Sequence, residues 1–469
     1  MKDLCVLILG AGKGTRMVSN RAKVLHQVCG VPMLKMVYRA AAVLEPDEIL
    51  AVIGQDAERV RSAMEGCPVE FILQEVQLGT GHAVMTAREH LSRRKGDVIV
   101  LYGDTPRIRP ATLRKLIGHH RNSGAVTTLL TTRAPEPFGY GRIARGPGGR
   151  VTAIVEEKDT TIEQKAITEI NPGLYCFQIP SLLEALGRLT NNNAQKEYYL
   201  TDLIGIQGGE GKPVEAVLHE DFEELHGINT RSELAGLSQT LRAAKNLELM
   251  ASGVTLIDPA RTYVDLDVLV EKDVILHPMV SLEGHTRIGE GTVVRQCCRI
   301  ADSTIGPRVE ILDSCLITDS EIGAGTSVGP SAHLREQSRV GEDCRIGNFV
   351  EIKKSELGKG TIAAHLAYLG DAIIGSNVNI GAGSITCNFD GVRKNVTIIE
   401  DDAFIGTDSQ LIAPVKIGKG AMVGAGSCIT EDVPPGALAI GRGRQVNKPD
   451  WARRRKCRET NDDQLPELR

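Results

Sequence analysis

A beat of six residues constrains this chain more than any other feature. Val328, Leu334, Val340, Ile346 and Ile352 fall six apart, with Gly, Asn, Asp and small residues between them. An amphipathic helix returns its apolar residues at three and four positions and a half-buried strand at two. A strict six therefore predicts short strands and turns wound into a repeated coil, each turn buried only by its neighbours. Ile288, Val294 and Ile300 keep the beat, and Ile305, Ile311 and Ile317 resume it after a slip of five. Ile374 with Ile380, then Leu411, Ile417, Val423 and Ile429, carry it on. Pairs such as Ile288-Gly289, Ile322-Gly323, Ile346-Gly347 and Ile405-Gly406 place a turn-permissive residue after the inward one. The expected product is a prism of three short parallel strands per coil. Fifty Gly and only 3% aromatic residues suit a coil too narrow for large rings. The period does not set the hand of the coil, since right-handed crossovers are the general default for parallel strands.

At 469 residues the chain exceeds one ordinary domain. The beat begins near Val254, so the first half must fold differently. Leu4–Leu9 is a continuous apolar run suited to a buried parallel strand, and it empties into Gly10-Ala11-Gly12-Lys13-Gly14-Thr15-Arg16. Such a loop can bring backbone N–H groups close to phosphates. It matches neither GxGxxG nor GxxxxGK[ST], so neither a dinucleotide fingerprint nor a P-loop is supported. Lys23 adds a cation downstream. Asp97–Leu101 is a second apolar run, ending in Tyr102-Gly103-Asp104, and a strand-end carboxylate lies where Mg²⁺ on phosphates could sit. Leu234, Leu237, Leu241, Ala244, Leu247 and Leu249 recur at helical spacing and predict a connecting helix with an apolar stripe. The expected organisation is a nucleotide-handling domain over 1–229, a linker helix over 230–250, the coil over 251–450, and a flexible, solvated tail over 451–469. The tail's basic run Arg453–Arg458 is read as part of that extension.

A net charge of −4 gives no general electrostatic case for nucleic acid or an anionic membrane. The N-terminal apolar run is too short and too quickly interrupted for a signal peptide or a span. Eleven Cys without a CxxC read as reduced thiols of a cytoplasmic protein.

The ordered motifs carry a resemblance. The LGAGKGTRM loop, Lys23-Val24-Leu25, Gln74 followed by Gly79-Thr80-Gly81-His82, YGDTP, Gly139–Ile143, Ile154–Lys158 and Ile170-Asn171-Pro172-Gly173 resemble sugar-1-phosphate nucleotidyltransferases in order and spacing. With the coil added, residues 4 to about 450 resemble the bacterial bifunctional N-acetylglucosamine-1-phosphate uridyltransferase/glucosamine-1-phosphate acetyltransferases. The resemblance implies an α/β Rossmann-like nucleotidyltransferase domain followed by a left-handed parallel β-helix of hexapeptide repeats. It implies UTP and acetyl-coenzyme A as substrates, Mg²⁺, and a homotrimer built through the coil. Leu9, Gly10, Ala11, Gly12, Arg16 and Lys23 would cradle UTP, Gln74, Gly79 and Thr80 would read uracil, and Asp104 with Asn229 would hold Mg²⁺. Tyr102, Gly141, Glu156 and Asn171 would hold the sugar.

In the coil, the polar residues that interrupt the beat between Ile352 and Ile398 stand out, with Arg335 a coil earlier. The resemblance makes His365 the general base, and a side chain that titrates near neutral pH suits that task. Arg335 and Lys353 would hold the sugar phosphate and Tyr368 and Asn379 the sugar, while Lys394 would reach substrate across a subunit boundary. Ala382, Asn388, Phe389, Thr407, Ala425 and Arg442 would hold the coenzyme. Three residues depart from the family's habit: Gly10 replaces Ala, Phe389 replaces Tyr, and Thr407 replaces Ser. Altered coenzyme affinity with intact acetylation is expected. The competing readings are a non-catalytic scaffold with an oligomerising prism, and a pyrophosphorylase with one activity for another sugar.

Overall fold

The structure is a computed structural model and describes residues 1–462. Two compact units form, one of Met1–Lys245 with Asp265–Asp267, the other of Asn246–Val264 with the chain from Val268 on.

In the first unit Leu4–Leu9 is a strand between Glu48–Ile53 and Asp97–Tyr102, both parallel to it. Its unbroken apolar run is what a parallel strand covered on both faces needs. Leu9 pairs with Tyr102, so the two strands end level and their loops leave the same edge of the sheet. Glu70–Leu73 extends the sheet on one side, and antiparallel Tyr175–Gln178 with Thr127–Arg133 on the other. A side hairpin, Gly141–Arg145 with Val151–Val155, is joined by Glu169–Asn171, which sets Asn171 opposite Gly141.

The second unit is the prism that the beat predicts. Among the described residues its faces are parallel sheets of eleven, ten and nine strands. Val328, Leu334, Val340, Ile346 and Ile352 all point inward, none more than 4% exposed, and successive members lie on successive faces. Val328 pairs with Ile346, eighteen positions on, and Ile346 with Ala363, seventeen on. A slip of five is therefore one shortened corner and breaks no face. Ile374 pairs with Ile399, twenty-five positions on, so this coil carries an inserted loop around 388–396. The glycines after the inward aliphatics answer a different need from the one expected. A Cβ at Gly323 would lie 2.5 Å from the Gly341 carbonyl carbon, so close stacking of coils excludes a side chain. The left-handed turn residue comes two positions later, as at Gly325 with φ 70°. Ile346→Ala is expected to cost about 2–5 kcal/mol of coil stability, read from denaturant unfolding. A loss below about 0.5 kcal/mol, the range of surface substitutions, would contradict its place in the core.

The connecting helix spans Arg231–Ala251. Leu237 and Leu249 are buried and Leu234 and Leu241 half-buried, but Ala244 is exposed and Leu247 is 64% exposed. The inward column passes through Lys245 instead, because Leu247 lies about 200° around the helix from Leu249. The tail also differs from expectation: Trp451–Asp462 is a helix. Its Ala, Arg, Lys and Glu residues favour helix without any apolar period, and the Arg455 guanidinium stacks 5.5 Å over Trp451 at i, i+4. Residues 463–469 of the expected tail lie outside the described residues. None of the described helices is long and apolar enough to cross a membrane, and the cysteines from Cys5 to Cys428 are free thiols.

Two candidate active sites

At the sheet edge of the first unit, four of the singled-out residues meet. Arg16 Nη2 donates to Asn229 Oδ1 at 2.8 Å, and Lys23 Nζ donates to the same oxygen at 2.9 Å. Lys23 also forms an ion pair with Asp104. Gly14 makes this approach possible: its φ is 58°, and a Cβ there would lie 2.6 Å from Lys23 Cβ. Asn229 is itself held by Glu233, whose carboxylate accepts from the Asn229 N–H at 2.6 Å. A pocket of about 280 Å³ opens beside the glycine loop, between Gly10–Lys13 and Gly54–Asp56. A methyl group fits at Gly10, where a Cβ would sit 3.4 Å from the Val52 carbonyl oxygen, so Gly is tolerated there without being required.

Gln74 is 2% exposed and its amide is fixed by His82 Nδ1 at 2.8 Å and the Gly79 carbonyl at 3.4 Å. Thr80 opens the helix Thr80–Thr86, and its hydroxyl accepts from Leu200 N–H. Glu156 accepts from the Thr201 hydroxyl at 2.9 Å; burial pushes its carboxyl above the usual range and Thr201 pulls it part of the way back. Asn171 Nδ2 donates to Tyr175 Oη at 2.6 Å. Burial pushes the Tyr102 phenol up, with the Glu156 carboxylate adding to it.

The coil residues sort onto two corners. At the corner between the first and second faces, Asn348 and His365 are stacked neighbours, and His365 Nδ1 donates to Asn348 Oδ1 at 2.7 Å. This bond places the proton on Nδ1 and leaves the Nε2 lone pair free. Ala382, Thr407 and Ala425 continue the same column. Ala363 pairs with Ile380, Ile380 with Ile405 and Ile405 with Val423, and each of these stands two positions before its corner residue. Arg442 closes the column by donating to the Ala425 carbonyl at 2.7 Å.

At the far end of the second face lie Arg335, Lys353, Asn388 and Lys394. Arg335 donates to Glu351 at 2.6 Å, and Lys353 Nζ lies 3.3 Å from Glu336. The Lys353 ammonium holds the Lys394 amine below the usual lysine range. Asn388 donates to Asp371 at 2.5 Å. Tyr368 lies along the face between the corners, its hydroxyl 3.5 Å from Asn388 Nδ2. Phe389 is 61% exposed at the start of the inserted loop. Asn379 is not gathered in. It sits in the outward column of the first face between Ile362 and Phe404, three positions before the corner that holds the His365 column.

Sequence reasoning missed the partners: Glu233, His82, Thr201 and Tyr175 in the first unit, Asn348, Glu336, Glu351 and Asp371 in the coil. The coil pitch could have found some of these, since one coil back from His365 is Asn348 and one coil back from Asn388 is Asp371. The first unit offers no such count, because Thr201 reaches Glu156 from 45 positions away.

A strand-end phosphate loop with an acid and paired cations, followed by a stacked coil with a histidine on one corner, defines a nucleotidyltransferase joined to a hexapeptide acyltransferase. Residues 6–197 match the MobA-like NTP transferase domain, residues 264–344 the GMPPB C-terminal domain, and residues 397–431 the bacterial transferase hexapeptide (six repeats). Along nearly its whole length the chain is similar to proteins named bifunctional protein GlmU. It is 47% identical to that of Koribacter versatilis over 97% of this chain and 98% of the relative, and 46% identical to that of Shouchella clausii over 97% and 100%. To that of Trichlorobacter lovleyi it is 47% identical, over 95% and 97%. The chain belongs to the bifunctional GlmU family. It is a two-activity enzyme, a uridyltransferase in its first unit and an acetyltransferase in its left-handed β-helix.

Proposed function

We propose that the two activities run through the residues just described and in a fixed order. The coil acetylates glucosamine-1-phosphate, and the first unit joins the product to UTP. On the coil, the sugar phosphate lies along the second face, its phosphate at Arg335, Lys353 and Lys394, and Tyr368 beneath the ring. Its amine meets His365 Nε2 at the other corner. The neutral amine attacks the thioester carbonyl, the carbon–sulfur bond breaks, and Nε2 takes the ammonium proton and returns it to the leaving thiolate. Asn348 keeps the required tautomer. The small column Ala382, Thr407 and Ala425 leaves a track for the pantetheine arm, capped by Arg442, with Asn388 and Phe389 contributing at the inserted loop.

In the first unit the acceptor is already an anion, so no strong base is needed. Its phosphate oxygen attacks the α-phosphorus of UTP and pyrophosphate leaves; catalysis is alignment and charge neutralisation. Arg16 and Lys23 offset phosphate charge beside Leu9–Gly12, and Gln74, Gly79 and Thr80 hold uracil. Tyr102, Gly141, Glu156 and Asn171 hold the sugar. The donor set fits Mg²⁺: Asp104 and Asn229 both turn an oxygen toward the Lys23 ammonium, and one or two protein oxygens completed by phosphates is the usual Mg²⁺ arrangement. Among the described residues no cluster of three or more His, Cys, Asp or Glu forms a metal cage. Bound there, Mg²⁺ would neutralise charge developing on the phosphates.

The outward column Ile362, Phe404, Met422 and Leu438, each 39–61% exposed on the first face, supports a homotrimer formed through the coil. The free thiols and the substrates fit the cytoplasm.

The observation that carries this reading is the contact of Arg16 and Lys23 with Asn229, with Asp104 paired to Lys23, and the acetylation set on a separate unit. Separate assays of the half-reactions on the purified chain test it. Coenzyme A release with glucosamine-1-phosphate and pyrophosphate release with N-acetylglucosamine-1-phosphate are both expected. Pyrophosphate release without detectable acetylation would overturn the acetylation half.

A further inference from the structure

Arg142, in the strand Gly141–Arg145, is 2% exposed, and no role proposed above uses it. A buried guanidinium destabilises unless its donors are matched. Arg142 Nη2 donates to Glu157 Oε2 at 2.7 Å, and Nη1 donates to the Tyr140 carbonyl. Glu157 Oε2 also accepts from the Gly139 N–H at 3.1 Å. Burial would raise the Glu157 carboxyl, but Arg142 and the Gly139 N–H outweigh it and hold it below the usual range.

The strand register gives this pair its significance. Arg142 pairs with Val155 on one side and Ile170 on the other. The residues proposed to hold the acceptor sugar, Gly141, Glu156 and Asn171, are each one position from that cross-strand triple. A Cβ at Gly141 would lie 3.5 Å from Glu156 Oε2, so two of them face the same space. The turn that the pair ties down also borders the phosphate residues. A Cβ at Gly139 would lie 3.9 Å from Arg16 Nη1, and Tyr140 packs edge-on against His226, its ring centroid 6.4 Å away, next to Gly227–Asn229.

We infer that the Arg142–Glu157 pair positions the acceptor in uridylyl transfer, locking the sugar-holding segments to the Gly139–Tyr140 turn beside Arg16. It rests on the sugar-site reading above. A buried ion pair is on average no more stabilising than apolar side chains of the same volume. What the pair supplies is a fixed register between the sugar and the phosphate to be attacked.

Glu157→Gln keeps the shape of the side chain and an oxygen that can accept from both donors, but removes the charge that pairs with Arg142. In the full chain it is expected to raise KM for N-acetylglucosamine-1-phosphate about tenfold or more, with KM for UTP within about twofold. Acetyl transfer, measured in the same sample, should be unchanged. Arg142→Lys, which keeps the charge but cannot serve both Glu157 and Tyr140, should show the same selective rise. A merely structural pair would lower kcat through loss of folded enzyme and leave both KM values alone, and that result overturns the inference. An equal rise in both KM values overturns it as well. Glu156→Ala separates the two layers of the argument. If Glu156→Ala raises the sugar KM and Glu157→Gln does not, only the positioning role fails. If neither does, the sugar-site reading fails and the inference with it.

Discussion

Asp104→Asn is expected to lower uridylyl transfer by about 10²–10³-fold while acetyl transfer stays within about twofold of the parent. The substitution keeps the size of the side chain and one oxygen, and removes the charge. In the structure that charge is paired with Lys23, which shares Asn229 with Arg16. Without it the two cations lose their counter-charge, and Mg²⁺ bound there would lose its carboxylate ligand and stabilise the leaving pyrophosphate less. The measurement is pyrophosphate release from UTP and N-acetylglucosamine-1-phosphate across a Mg²⁺ titration, where a higher Mg²⁺ requirement should accompany the lower rate. Release of the coenzyme A thiol in the same preparation reports that the chain is intact. A near-parental uridylyl rate would remove Asp104 from the metal site.

His365→Ala is expected to produce the opposite pattern, with acetyl transfer down by about 10²–10⁴-fold and uridylyl transfer of ready-made N-acetylglucosamine-1-phosphate untouched. With the base gone, the attacking nitrogen must give up its proton to hydroxide or another base from solution. The residual rate should therefore climb as pH rises, whereas the parent supplies its own base at neutral pH. Asn348 sharpens the expectation, because its oxygen holds the Nδ1 proton and leaves Nε2 as the acceptor. Acetylation within about threefold of the parent would show that the amine loses its proton elsewhere.

Legibility differs from residue to residue for physical reasons. The inward set from Val328 to Ile352 could be read directly, since a coil buries one aliphatic per face and writes its period into the chain. The strand–loop order of Leu4–Gly14 and Asp97–Asp104 was equally local. Leu247 misled because a leucine near a helical stripe does not reveal on which side of the stripe it falls. The helix at Trp451–Asp462 was missed because helix propensity needs no apolar period. The coil glycines were seen but misread: their purpose is the approach of the next coil, which lies outside the local sequence.

By itself the amino-acid sequence determined the prism, the parallel-strand unit before it and the residue types able to handle phosphates and protons, because these follow from periodicity and from loops that act at short range. Only the tertiary structure decided which of those residues meet. It joined Arg16 and Lys23 to Asn229 across more than two hundred positions and Asp104 to Lys23, set His365 on Asn348, and kept Asn379 out of the cluster. Contacts of that kind depend on strand register and coil pitch, and a shift of one residue in either would exchange every partner while leaving the period unchanged.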